Sequence, residues 1–224
     1  MNVNITNLKI MDKIVDRISN LSPFIIHHIM SYLSAKEVAQ ISILWNQLRI
    51  CFPIFDFDQT YFLIRDESAH VTSVFEKKSL ALHDRLKEFM EFVDVSLLRF
   101  CELKFCMHKF RIFLSILDAK ESAPYIDKWI GLAIEKGVKE LDLQFLTESN
   151  AQYTLPQTIF SAGSVTTLKL VNCRLENTSD TIRFNSLIKL SLDSVFIHEE
   201  MVQKLSSECP LLEEIFFSEC WGLK

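Results

Sequence analysis

The sequence predicts an α/β solenoid of half-horseshoe form preceded by a small three-helix unit, and three observations carry that expectation. One apolar frame returns four times in the C-terminal half at intervals of 22 to 27 residues, and amphipathic helical segments lie between some of its copies. The N-terminal segment has helical periodicity and no repeat. The expected boundaries are an N-terminal tail at 1–12, the helical unit at 13–58, a helical and irregular bridge at 59–95, and repeats from 96 to 224 that are incomplete at the C-terminus.

The helical unit begins with LSPFIIHHIMSYL at 21–33, where Ser22 can cap and Pro23 suits the first turn. Tyr32, Ile25, Ile29, Leu33, Ile26 and Met30 spread over about 160° of that helix, wider than the ~100° stripe that one core contact needs. Two destinations for the surplus stand open, a partner helix and the repeat region itself. Ser34 starts the next helical run, with Val38, Ile41, Leu44, Trp45 and Leu48 at helical spacing, and Pro53 ends it. In the bridge, Leu82, Leu86, Phe89, Met90 and Val93 form an amphipathic stretch expected to cover the solenoid's first edge.

The repeat frame reads apolar-x-x-apolar-x-apolar-x-x-apolar/Cys. It runs through Val138, Leu141, Leu143 and Leu146; Val165, Leu168, Leu170 and Cys173; Leu187, Leu190, Leu192 and Val195; and Leu212, Ile215, Phe217 and Cys220. Spacings of 27, 22 and 25 residues are those of a leucine-rich repeat, in which the x-L-x-L-x core is a short strand and the connection returns along the outer side. A weaker copy is expected at Phe100, Leu103, Phe105 and His108, and FRIFLSIL at 110–117 reads as another strand. Between the strands, 125–136 is a predicted helix opened by Pro124 and ended by Gly137, with Ile126, Trp129, Ile130, Ala133 and Ile134 on one face. A second helix is expected at 199–206 with Met201, Val202 and Leu205 inward, while 147–164 reads as irregular apart from a short strand in QYTLP.

Composition narrows the function. The chain has 224 residues, 49% hydrophobic and 24% charged, enough to bury a core without disulfides or metal. Its net charge of −5, with no basic run, argues against nucleic acid as a partner. Glycines occur only at 131, 137, 163 and 222, so neither GxGxxG nor GxxxxGK[ST] can form to hold a nucleotide phosphate. No stretch approaches the roughly 18 apolar residues of a membrane span. The six cysteines form no CxxC pair, which fits reduced thiols and a cytoplasmic or nuclear home and makes the sequons at Asn4, Asn20 and Asn177 incidental.

Residues 16–58, DRISNLSPFIIHHIMSYLSAKEVAQISILWNQLRICFPIFDFD, resemble the plant F-box domain, with Asp16 to Leu21, Lys36-Glu37 and Phe57-Asp58 as the best matches. The repeats resemble those of the same plant F-box/leucine-rich-repeat family at Tyr125 to Ile130 and Val138 to Leu143. The resemblance implies a substrate-recognition subunit of an SCF ubiquitin ligase. Its F-box would dock on a Skp adaptor, and through it a cullin, while the repeats bind a target protein. Leu21, Ile25, Ile26, Ile29, Leu33, Leu44 and Leu48 would supply the adaptor-facing and core apolar positions. Relative to the family, the LP proline is Ser22, Pro23-Phe24 replaces an acidic pair, and Trp45-Asn46-Gln47-Leu48 loses two basic residues. These changes motivate an alternative, a non-ligase interaction scaffold with a degenerate F-box. The chain also reads as a short form or a truncated gene product that lacks the family's C-terminal FBD domain.

Catalysis finds little support. Cys106 and His108 are the nearest thiol and imidazole, but the frame points the first outward and the second inward. Cys173 and Cys220 occupy small buried slots, and His27 and His28, about 100° apart on a helix, cannot share a metal. Glu199 and Glu200, like Glu213 and Glu214, are adjacent rather than opposed. No cofactor, metal or enzyme class is expected. The expected target surface is the set of outward strand positions, Glu140, Asp142 and Gln144; Thr167, Lys169 and Val171; Lys189, Ser191 and Asp193; and Glu214, Phe216 and Ser218.

Overall fold

The computed structural model describes residues 54–60, 75–102, 106–116, 119–147, 152–176 and 182–223. The chain divides between Ile54 and Phe55 into two compact units, the second running to Lys224. The tail expected at 1–12, the helices expected from 21 to 48 and all seven adaptor-facing positions lie outside the described residues.

Strand β1 (Ile54–Asp58) opens the large sheet. Its alternation sets Phe57 against the rings of Phe92 and Phe110 and Phe55 against Phe100, while Asp56 and Asp58 point to the other face. The sheet thus starts ahead of residue 96, where the repeats were expected to begin. Helix α1 (Phe75–Cys101) follows β1 in sequence and sets Phe92 and Phe100 against the rings of that first strand. It buries Leu86, Phe89, Met90, Val93, Leu97 and Phe100, a helical spacing carried through to its last turn. Phe100 is therefore helical, and Leu103 and Phe105 of the weaker repeat copy expected at 100–108 lie outside the described residues. His108, expected inward, is exposed.

Strand β2 (Lys109–Ile116) is the strand expected from FRIFLSIL, burying Phe110, Ile112, Leu114 and Ile116 in strict alternation. Helix α2 (Ala119–Glu135) begins six residues before the expected 125, with Pro124 inside it instead of at its start. A proline in the second turn costs one intrahelical hydrogen bond near a frayed end, a loss that the burial of Ile126, Trp129, Ile130 and Ala133 exceeds. At the far end Gly137, at φ 68°, donates to Ile134 and Val138 to Ala133, a Schellman cap. Asp94 on α1 accepts from Lys128 Nζ at 2.7 Å and Trp129 Nε1 at 3.1 Å, which joins the two helices.

The remaining elements are β3 (Glu140–Thr147), β4 (Tyr153–Thr154), a 3-10 helix (Gln157–Ser161), β5 (Thr167–Val171), β6 (Cys173–Leu175), β7 (Lys189–Asp193), β8 (Phe196–Ile197), α3 (Glu199–Glu208) and β9 (Glu214–Ser218). The large sheet has the order β1-β2-β3-β5-β7-β9 and a small one the order β4-β6-β8, with parallel pairing from β2 onward. Spatial order equal to chain order, all parallel, is the topology of a solenoid. Among the described residues no helix is long and apolar enough to cross a membrane.

One backbone feature divides the repeat copies. Asn172, Ser194 and Glu219 have φ of 55°, 53° and 49° and hold the same place in successive repeats, just before the Cys/Val slot. Each left-handed residue turns the chain out of the large sheet: β5 passes into β6, β7 into β8, and β9 to Trp221, which bridges Phe196. The turn amides donate onward, Asn172 to Asp193 O at 2.9 Å and Ser194 to Ser218 O at 2.8 Å, and Asn172 Nδ2 donates back to Phe145 O at 3.1 Å. In the first copy the equivalent residue is Phe145, a poor occupant of left-handed space, and β3 runs straight on. Phe145 is therefore buried, and Leu146, expected inward, is exposed. Ile215, Phe217 and Cys220 of the fourth copy, also expected inward, are likewise partly open because β9 is an edge strand.

Candidate target-binding face

The helices α1 and α2 pack on one face of the large sheet, and among the described residues no helix covers the other. Strand registers align its outward side chains in rows. One row runs Lys109, Glu140, Thr167, Lys189, Glu214; the next Arg111, Asp142, Lys169, Ser191, Phe216; the third Phe113, Gln144, Val171, Asp193, Ser218. Every outward residue expected on β3, β5, β7 and β9 stands in one of these rows.

Most of the charge on this face is already neutralised across strands. Lys109 Nζ lies 3.3 Å from Glu140, and Lys189 Nζ 2.8 Å from Glu214. Arg111 links three strands, with Nη1 2.7 Å from Asp56 and 3.6 Å from Asp58, and Nε 3.6 Å from Asp142. Burial works to lower the Arg111 pKa, but the hydrogen bond and charge of Asp56, with those of Asp142 and Asp58, more than reverse it and hold it above its ordinary value. Gln144 Nε2 donates to both Asp142 oxygens, at 2.9 and 3.1 Å, so Asp142 and Gln144 form a braced pair. Lys169 has no ion-pair partner among the described residues. Asp193 has none there either, and its carboxylate accepts from Ser194 Oγ at 3.2 Å. Phe216 is 70% exposed.

Asp56, Asp58, Lys109, Arg111 and Phe113 belong to this face and were missing from the expected set. Alternation in IFDFD and KFRIFLSI was the available signal, since both place polar or charged side chains opposite the buried aromatics.

The side chains considered for catalysis stay apart. Cys106 is exposed, and His108 Nε2 lies 3.8 Å from Glu140 Oε1 with no hydrogen bond to the thiol. Burial pushes the Cys173 thiol well up, and burial with the charge of Glu208 pushes Cys209 up to about 11, so both are protonated at neutral pH. Cys220 is only partly covered. Among the described residues no three His, Cys, Asp or Glu side chains form a group that could hold a metal ion.

A parallel sheet in chain order, an apolar frame at this spacing and a broad open strand face together define a leucine-rich-repeat protein. The family model described as At1g61320/AtMIF1, LRR domain, matches residues 67–224, and the chain belongs to that family of plant leucine-rich-repeat proteins. Among curated proteins of Arabidopsis thaliana, it is 32% identical over 201 residues to FBD-associated F-box protein At5g56370, covering 89% of this chain and 42% of that one. It is 30% identical over 209 residues to F-box/LRR-repeat protein At4g14096 (91% and 40%), and 26% over 209 residues to F-box/FBD/LRR-repeat protein At1g13570 (91% and 44%). These matches bear out the resemblance to plant F-box/leucine-rich-repeat proteins. The chain spans about two-fifths of the length of these relatives. No solved structure matches.

Proposed function

We propose that this chain is the target-recognition subunit of an SCF-type ubiquitin ligase. Residues 13–58 would carry the F-box, with Leu21, Ile25, Ile26, Ile29, Leu33, Leu44 and Leu48 docking on a Skp adaptor and through it on a cullin. The open face of the large sheet would hold the target. The observation that carries this reading is the union, in one chain, of an F-box-like segment with a repeat sheet whose outward rows are mixed in charge. Such a face suits a protein surface. Ubiquitin chemistry would belong to the conjugating enzyme, and this subunit would contribute proximity of the target lysine.

Adaptor capture tests the reading. The intact chain should retain a purified Skp adaptor, and Ile25→Asp with Ile29→Asp should abolish that while circular dichroism shows the variant folded. No capture by the intact, folded chain overturns the ligase reading and leaves the interaction scaffold, which Ser22, Phe24 and the loss of basic residues around Trp45 favour. The scaffold predicts target binding that survives removal of residues 1–53. The deletion stops there because β1 is part of the sheet.

A further inference from the structure

We infer that the open face takes an extended target segment in which a carboxylate lies two or three residues from a large apolar side chain, the carboxylate on Lys169 and the apolar group on Phe216. This deepens the target-binding reading above and rests on it.

The charge pattern of the face carries the argument. Lys109 is occupied by Glu140, Lys189 by Glu214, and Arg111 by Asp56 with Asp58 and Asp142 behind it. Lys169 stands between Asp142 and Ser191 in its row, and Asp142 is committed to Arg111 and Gln144. Among the described residues it is therefore the cation on this face without an ion-pair partner, so an outside anion would have no such pair to break. Along the same row, Ser191 separates it from Phe216, whose ring has no ring partner among the described residues and which is 70% exposed.

Two strand spacings set the Lys169 and Phe216 backbones about 10 Å apart, which an extended peptide spans in about three residues at about 3.3 Å each, or in two when the long lysine side chain leans toward it. Val171, beside Lys169 on the same strand, widens the apolar ground. Asp193, one strand over and one row along, faces solvent without a cation, so a second acid there would be repelled and a basic group favoured. The face thus selects for one acidic and one apolar group at fixed separation and against acidity throughout.

A random twelve-residue peptide library displayed on phage tests this. It should be panned on the intact chain and on Lys169→Glu and Phe216→Ser, both open-face changes whose folding is checked by thermal melts. The intact chain should select peptides with Asp or Glu two or three positions from Phe, Tyr, Trp or Leu. A synthetic selected peptide should bind Lys169→Glu at least tenfold more weakly, and the same peptide with its acid changed to Lys should recover binding to that variant. If charge reversal disturbs folding, Lys169→Gln should give the same loss.

Selection without acidic enrichment, binding indifferent to Lys169, or no selected peptide overturns the inference. Adaptor capture by Lys169→Glu separates the two readings. If it persists while the peptide result fails, only the peptide preference falls; if peptides behave as expected while the intact chain captures no adaptor, the ligase reading falls and the preference stands.

Discussion

Leu190 and Leu192 on β7 and Ile215 and Phe217 on β9 hold the same two positions of the repeat and pair across one ladder. The first two are 2% and 1% exposed, the second two 37% and 41%. The contrast teaches that burial in a solenoid belongs to the neighbouring repeat as much as to the residue. A leucine in the frame is covered by the units on both sides, and an edge strand has only one.

The largest test of that contrast is truncation. Leu192→Ala should cost about 3 kcal/mol, because it opens a cavity in a packed interior, and Phe217→Ala about 1 kcal/mol despite its larger side chain. Urea denaturation of the two variants measures this, and equal losses would break the comparison. Charge pairs should divide the same way. Arg111→Met leaves Asp56, Asp58 and Asp142 near one another without their shared cation and should cost about 2 kcal/mol. Lys189→Ala removes an exposed pair and should leave the urea midpoint unchanged. Added salt should narrow the gap, since it screens the repulsion among the carboxylates.

The smallest contrast lies in the left-handed turns. Asn172→Ala loses the bond to Phe145 O and the bond that Asn172 Oδ1 accepts from Gln152 at 2.9 Å, at a φ that alanine dislikes, for a cost of about 1.5 kcal/mol. Glu219→Gly, at the exposed end of the series, should gain about 0.5 kcal/mol, because glycine relieves the left-handed strain and no side-chain bond is lost. Thermal melts of both variants check the signs, and a loss at Glu219 would mean that the terminal turn is braced like the interior ones.

The strands most legible in the sequence were those whose alternation is backed by a turn signal. Asn172 and Ser194 are small polar residues suited to left-handed backbone, and the frame that runs up to them placed β5 and β7, while the short strands β6 and β8 that follow each turn were not expected. Phe145 breaks that signal, which is why Leu146 was misassigned by one residue and one face. Phe100 was read as the start of a repeat copy because its apolar side chain continues the helical spacing of Val93 and Leu97 and fits the first position of the frame equally well. Strand β1 was hidden inside a stretch matched to another domain's pattern, and its outward residues Asp56 and Asp58 were lost from the candidate face with it. Pro124 read as a helix start because local rules see the lost hydrogen bond and cannot see the buried indole of Trp129 one turn further on.

By itself the sequence determined the repeat, its period, the inward leucines of the interior units and the outward residues of four strands, since period-2 alternation and a recurring frame are properties of the chain alone. Only the tertiary structure decided which of those residues are covered, which charges cancel across strands, and that Lys169 and Asp193 are left over. Those outcomes depend on which strands become neighbours and in what register, and no local pattern contains the distance between residues from different repeats.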